Sequence, residues 1–263
     1  MLAYYEGAVE VDRLDRLPGA LEFERTKEIV GRFLAAPAGV ADVGGGAGHY
    51  SAWLARDGHT VDLVEPVPLH VEIARKRAGD PPRFGVHAGE ARALPFGDES
   101  FDAVLLLGPL YHLVEPEARL QALREARRVC RPGGSIFAAA ISRFAPLLGT
   151  VRSGLVADSQ VFANDQAETR TGRRVDEGQR TRPFPDAYFH LPEDLAAEVG
   201  QAGLDVAAVY GVEGPGWLAQ DLESLWADEA VRERLLRIAR ETEADPHLLG
   251  LSQHLLAVAR RPA

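Results

Sequence analysis

Short β-rich runs alternating with helical stretches between about Gly39 and Ile141 predict an α/β domain on a seven-stranded, mostly parallel sheet with helices on both faces. Two further observations point the same way. The runs are apolar at nearly every position, as strands sandwiched between helices must be. A glycine-rich turn also joins the first run to the helical stretch that follows it.

The elements follow in order. LEFERTKEIVGRFLA (21–35) has apolar residues at 21, 23, 29, 30, 33 and 34, the stripe of an amphipathic helix, so residues 1–36 are expected to form a helical segment covering the ligand site. Strands are expected at VADVG (40–44), TVDLVE (60–65), RFGVHA (83–88), FDAVLLL (101–107) and SIFAAAIS (135–142). Helices at 50–57, 69–78 and 117–130 connect them, and RPGG (131–134) stops the last and turns the chain into the fifth strand. After Ser142 the alternation lapses. Residues 143–190 read as a lid inserted after the fifth strand, with short apolar helices around a mobile polar loop at 164–183. A helix at 192–203, with acids in its first turn, and a strand at 204–212 resume the core. A helical insertion at 218–250 and a last strand at 252–260 complete it, so that the core comprises 37–142 and 191–263.

Composition narrows the function. The chain has 263 residues, 46% hydrophobic and 26% charged, enough for one core with insertions. No apolar stretch is long enough to cross a bilayer, and MLAYYEGAVEVDRL lacks the basic start and apolar run of a signal peptide, so a cytoplasmic protein with no membrane partner is expected. The lone Cys130 can form no internal disulfide, and the histidines lack ligand-like spacing, so no metal is expected. Twenty-nine basic against thirty-nine acidic side chains give a net charge of −10, which repels a phosphate backbone and disfavours nucleic acid as a partner.

The turn itself, Asp42-Val43-Gly44-Gly45-Gly46-Ala47-Gly48, lets the backbone bend sharply and lets a ligand approach without meeting a Cβ. A dinucleotide fingerprint needs a third glycine five residues after its first, but His49 and Ser51 stand there. Glu65 ends the second strand, where a carboxylate can accept hydrogen bonds from ribose hydroxyls, a role common to several adenosine cofactors. The fourth strand runs into Gly108-Pro109-Leu110-Tyr111-His112 at the carboxyl edge of the sheet, where open α/β folds bind ligands. His112 is a candidate general base and Tyr111 a second candidate catalytic group, each with packing as the alternative role.

The acid two residues before three alternate glycines, the HAGEARALPF and ESFDAVLLL segments, the Gly-Pro-Leu-Tyr turn and LREARRVCRPGGSIFAAAISR together resemble the class I S-adenosylmethionine-dependent methyltransferases over about 40–143. The resemblance implies a Rossmann-like fold, S-adenosyl-L-methionine as cofactor and S-adenosyl-L-homocysteine as product. It implies cofactor contacts at Asp42, Gly44, Gly45, Gly46, Gly48, Glu65, Pro66, Gly89, Glu90, Ala91 and Leu107, with Tyr5 and Arg25 folding over the methionine end and Arg25 pairing with its carboxylate. Two departures stand out: Glu90 where the family more often has Asp, and Gly108 where amine-methylating relatives carry a polar hook. The second points to a small-molecule acceptor attacking through O, N, C or S. Tyr111, His112, Arg143, Tyr188, His190 and Trp217 are expected to line its pocket, and the lid offers a surface for a homodimer. Alternatives left open are an NAD(P)-dependent oxidoreductase, a non-catalytic S-adenosylmethionine-binding protein and an aminopropyl transferase.

Overall fold

Apolar spacing places the first helix on the sheet, and a proline or an aspartate sets the start of several later ones. The computed structural model describes residues 11–174 and 185–263. A 3₁₀ turn at Arg13–Asp15 precedes α1 (Gly19–Phe33), whose Ile29 and Val30 pack on the sheet. β1 (Gly39–Val43), α2 (His49–Arg56), β2 (Thr60–Glu65), α3 (Pro68–Ala78), β3 (Gly85–Ala88), β4 (Phe101–Leu106), α4 (Pro109–His112), α5 (Pro116–Val129) and β5 (Cys130–Ser142) follow. Proline opens α3, α4 and α5, where its missing N–H costs no intrahelical bond. Beyond β5 come α6 (Ala145–Arg152), α7 (Ser159–Thr171), β6 (Arg173–Arg174), β7 (Ala187–His190), α8 (Pro192–Gln201), β8 (Asp205–Gly211), α9 (Leu222–Ala227), α10 (Glu229–Thr242) and β9 (His254–Arg260).

The strands form one sheet in which β3, β2, β1, β4 and β5 run parallel in that order. β9 lies antiparallel between β5 and β8. β1 sits between β2 and β4, so the connections leave it on opposite sides and open a crevice at its carboxyl end. Val43, Val104, Leu123 and Ile136 pack on one face of the sheet, and Val40, Leu54, Leu63 and Phe137 on the other. Burial on both faces explains why β1 and β4 read as continuous apolar runs.

Several expectations need correction. The described residues contain nine strands rather than seven, because the two-residue β6 and the four-residue β7 are too short for alternation to reveal. β7 extends the sheet at the end of β5, pairing Phe189 with Ile141 and His190 with Ser142. Cys130 opens β5 instead of closing the helix. RPGG is a bulge within that strand, the partner shifting from Phe101 opposite Cys130 to Ala103 opposite Ser135. Residues 164–171 are helical: Asp158 caps α7 by accepting from the Gln160 and Val161 N–H groups, and buried Asp165 takes a hydrogen bond from Thr150. Those polar side chains are satisfied inside the protein, so composition alone overstated their solvation; positions 175–183 of the expected loop lie outside the described residues. The stretch 218–250 holds two helices, since Asp228 ends α9 and caps α10.

Candidate active site

The crevice at the switch point is a cavity of ≈ 230 Å³, floored by the glycine loop. Gly44 N–H donates to the Val64 carbonyl at 2.7 Å, which fixes the loop against β2. Gly44 and Gly46 both have positive φ, +70° and +55°. A Cβ on Gly44 would meet the Pro109 ring at 2.7 Å, and one on Gly45 would meet the Asp42 carboxylate at 2.7 Å, so both positions need glycine for close packing. A Cβ on Gly46 would meet nothing, because it faces the open cavity.

Two carboxylates stand beside this loop. Glu65 is buried at the end of β2; it accepts from Gly46 N–H at 3.0 Å and Val67 N–H at 2.9 Å, with His70 Nδ1 3.7 Å away. Asp42 is wholly buried, and its Oδ2 accepts from Ser51 Oγ at 2.6 Å while Oδ1 has no hydrogen-bond partner among the described residues. Burial, helped by the nearby Glu65 charge, pushes the Asp42 carboxyl up to about 6 against the lowering effect of Ser51.

This shift has a measurable consequence. An acid whose native pKa is raised contributes stability that is full below its unfolded pKa and is lost as pH rises through the folded one. For Asp42 the window is therefore about pH 4 to 6. Wild type is expected to lose roughly 2–3 kcal/mol relative to Asp42→Asn across it. Urea unfolding at pH 4, 5, 6 and 7 checks this, and parallel stability curves would refute it.

At another part of the wall, Tyr111 and His112 reach the cavity from α4. Burial drives the His112 imidazole down to about 4, although a hydrogen bond to the Asp186 backbone opposes the shift, so the ring is neutral at pH 7. Pro66, Glu90, Ala91 and Leu107 also line the cavity. Glu90 is half-exposed and pairs with Arg92 at 2.5 Å.

Other expected residues lie elsewhere. Gly48 and Gly89 are not among the lining residues; Gly48 caps α2 at φ +82° and packs against Phe84. Arg25 is buried between α1 and the β8–β9 side of the fold. It donates to the Val212 carbonyl at 3.3 Å and pairs with Glu28 and Glu243, so its charge is spent on packing the helix. Trp217 is core: it packs with Leu21 and Leu236 and donates from Nε1 to the Leu251 carbonyl at 2.8 Å. Arg143, Tyr188 and His190 meet one another but not the cavity. Arg143 Nε donates to the Phe189 carbonyl at 2.7 Å, its terminal nitrogen reaches Asp194 at 3.1 Å, and His190 lies 3.2 Å from Glu198. Tyr5 is outside the described residues.

The cavity also has walls that no motif announced. Arg13 and Leu14, from the 3₁₀ turn before α1, line it, as do His49, Tyr50, Val67, His70 and Leu113. Arg13 forms a two-pronged pair with Glu22. Glu22 in turn lies 3.6 Å from His254 Nδ1, which sits 2.5 Å from Glu213. Burial opposes the Glu22 charge, but Arg13 and His254 outweigh it and hold its carboxyl below the ordinary range. Burial likewise opposes the His254 charge, and Glu22 with Glu213 raises its pKa nonetheless. Glu22, Glu213 and His254 bring three possible metal ligands within 4.8 Å of one another, and Arg13 pairs with Glu22 beside them.

Comparison with known proteins agrees with this geometry. Residues 41–138 match the model of a methyltransferase domain. The methyltransferase GfsG of Streptomyces halstedii is 30% identical over 182 residues, 63% of this chain and 64% of that protein. A demethylmenaquinone methyltransferase of Mycolicibacterium paratuberculosis is 36% identical over 152 residues, 57% of this chain and 59% of that one. A probable tRNA methyltransferase 9B of Mus musculus is 37% identical over 97 residues, 37% of this chain and 20% of its own length. The chain thus spans less than two thirds of the length of each of these relatives. Among solved structures, a putative methyltransferase in complex with the Trm112 activator of Haloferax volcanii shares the fold, with a TM-score of 0.63, 19% identity and coverage of 100% of this chain and 97% of that one. Residues 41–138 thus form a methyltransferase domain, similar in sequence to the corresponding part of these methyltransferases.

Proposed function

We propose that the protein transfers a methyl group from S-adenosylmethionine to a small-molecule acceptor in the cavity above the glycine loop. The observation that carries this reading is the meeting, around one cavity, of the bare Gly46 floor, the Glu65 and Asp42 carboxylates and the Tyr111–His112 wall. The residues fit the cofactor: Gly44, Gly45 and Gly46 leave its path clear of Cβ atoms, and Glu65 offers free lone pairs to a ribose beyond the two backbone N–H groups it holds. Asp42 Oδ1 offers a further buried acceptor, Glu90 and Ala91 flank the adenine end, and Arg13 takes the place expected of Arg25 as the cation on the wall. When bound, S-adenosylmethionine supplies an already activated methyl group. The protein's task is then to align the acceptor and keep water out, for which the half-apolar wall of Leu107, Tyr111 and Leu113 is suited.

His112 refines the choice of acceptor. A base with a pKa of about 4 is poorly matched to an alcohol proton, whereas its neutral ring can hydrogen-bond an acceptor that is already anionic or readily ionised. The net charge of −10 and Gly108 in place of a polar hook support a small acceptor over a nucleic acid. The relative named for demethylmenaquinone, a small molecule, matches over more of its own length than the one named for tRNA.

The test is calorimetric titration with S-adenosylhomocysteine and, separately, with oxidised and reduced nicotinamide dinucleotides. Binding of the first alone, with a Kd of about 1–100 μM, is expected. Binding of a dinucleotide alone would overturn the proposal in favour of an oxidoreductase. S-adenosylhomocysteine binding with no turnover across a broad acceptor panel using labelled methyl donor would reduce it to a non-catalytic binding protein.

A further inference from the structure

The four-residue α4 that carries Tyr111 and His112 is too short to hold its own shape. Its last carbonyls, like those of any helix, need partners from outside. They are followed at once by the Leu113 and Val114 carbonyls, and both accept hydrogen bonds at 2.8 Å from one nitrogen of Arg119. Arg119 comes from α5 and is 2% exposed, so its charge must be matched within the protein. Its other two nitrogens clamp Glu198 of α8, Nε at 2.8 and 3.1 Å and the terminal nitrogen at 2.6 Å.

A third element closes the arrangement. The Tyr188 ring of β7 lies 3.8 Å from the guanidinium carbon, and His190 of β7 reaches Glu198 at 3.2 Å. Burial opposes the Glu198 charge, but Arg119 and His190 lower its carboxyl to about 2, so the pair stays ionised at any working pH. β7 also packs directly on α4, with Tyr111 against Ala187 and Phe189. One guanidinium thus joins the end of the Tyr111–His112 segment to α8 and β7. A buried ion pair of this kind adds little net stability compared with an apolar pair of similar volume. What an apolar pair would lack is the grip on two carbonyls.

We propose that Arg119, locked by Glu198, is the positioning residue for the Tyr111–His112 segment and so sets the wall against which the acceptor is aligned. The acceptor-aligning part of this role rests on the proposed function above; the grip on the segment does not. The test compares wild type with Arg119→Met/Glu198→Leu, which keeps the site packed and neutral, and with Glu198→Gln. The probes are S-adenosylhomocysteine, by calorimetry, and the His112 ring, by NMR titration of histidine labelled at Cε1, assigned with a His112→Asn variant.

In the double variant the His112 midpoint, about 4 in wild type, is expected to rise by at least about one unit as the segment opens to water. S-adenosylhomocysteine affinity is expected to stay within about threefold, because the glycine loop is untouched. Glu198→Gln should shift His112 in the same direction by less. An unmoved His112 midpoint in a double variant with a wild-type melting profile overturns the proposal. Should the double variant not fold, Glu198→Gln decides: a shifted His112 supports the grip and an unmoved one overturns it. Failure of wild type to bind S-adenosylhomocysteine would instead sink the reading of the cavity and leave the grip to be judged by His112 alone.

Discussion

Gly46→Val is expected to weaken S-adenosylhomocysteine binding by at least about 100-fold, or roughly 2.7 kcal/mol, in a protein that remains folded. Position 46 separates ligand from fold unusually well. Its φ of +55° makes a β-branched residue strained there, at a cost of about 1–2 kcal/mol, which a domain of this size tolerates. No protein atom lies within 4 Å of the added Cβ, so the valine methyls enter the cavity and not the core. Its neighbours behave differently: a Cβ on Gly44 or Gly45 collides with Pro109, or with Asp42 and Leu63, and would confound binding with unfolding. Calorimetry with a circular-dichroism melt on the same sample checks the prediction. Affinity within a few-fold of wild type would remove the loop from the ligand site.

Arg25→Ala should do the reverse, lowering stability by about 3–5 kcal/mol while leaving the affinity of the folded protein unchanged. The guanidinium is fully buried and satisfies the Val212 carbonyl and the Glu28 and Glu243 carboxylates. Arg32 remains on Glu243, at 2.5 and 2.8 Å, but its side chain is partly exposed and reaches neither Val212 nor the interior. Deleting Arg25 therefore strands a buried carbonyl and half-pairs a largely buried carboxylate, the costly direction in which to break such a network. Urea unfolding with and without S-adenosylhomocysteine separates the two effects. A wild-type midpoint combined with lost affinity would return Arg25 to the ligand site.

These two positions show what a sequence reveals and what it hides. The positions of the glycine loop, Glu65 and the strands around them are legible because their geometry is local: a residue type at a fixed offset from a strand end fixes where the backbone places it. The resemblance implies a cofactor contact for Arg25 because the segment that carries it often folds over the methionine end of the cofactor in that family. Its partners, Glu243 and Val212, lie more than 180 residues away, where no spacing rule reaches. Trp217 is similar, since only its contacts with Leu21 and Leu236 show which side of the sheet it joins. Arg13 went unnoticed for the opposite reason: the turn that carries it into the cavity follows no pattern. Arg143, Tyr188 and His190 are not among the residues lining the cavity and are held instead by one another, Phe189 and Glu198, contacts that no spacing rule announces.

The position of β9 has a consequence for how the protein is made. β9 leaves the ribosome after both β5 and β8, yet it fills the gap between them, meeting β5 from Ser135 to Ile141 and β8 from Asp205 to Gly211. At translation speeds of about 5–20 residues per second, more than a hundred residues separate the emergence of β5 from that of its partner, a delay of roughly 6–24 s. Throughout that interval β5 presents a long, apolar, unpaired edge of the kind that pairs with other chains. The nascent protein is therefore most vulnerable to aggregation in the interval before β9 emerges, and growth temperature or chaperone supply should govern its yield more strongly than the stability of the finished fold.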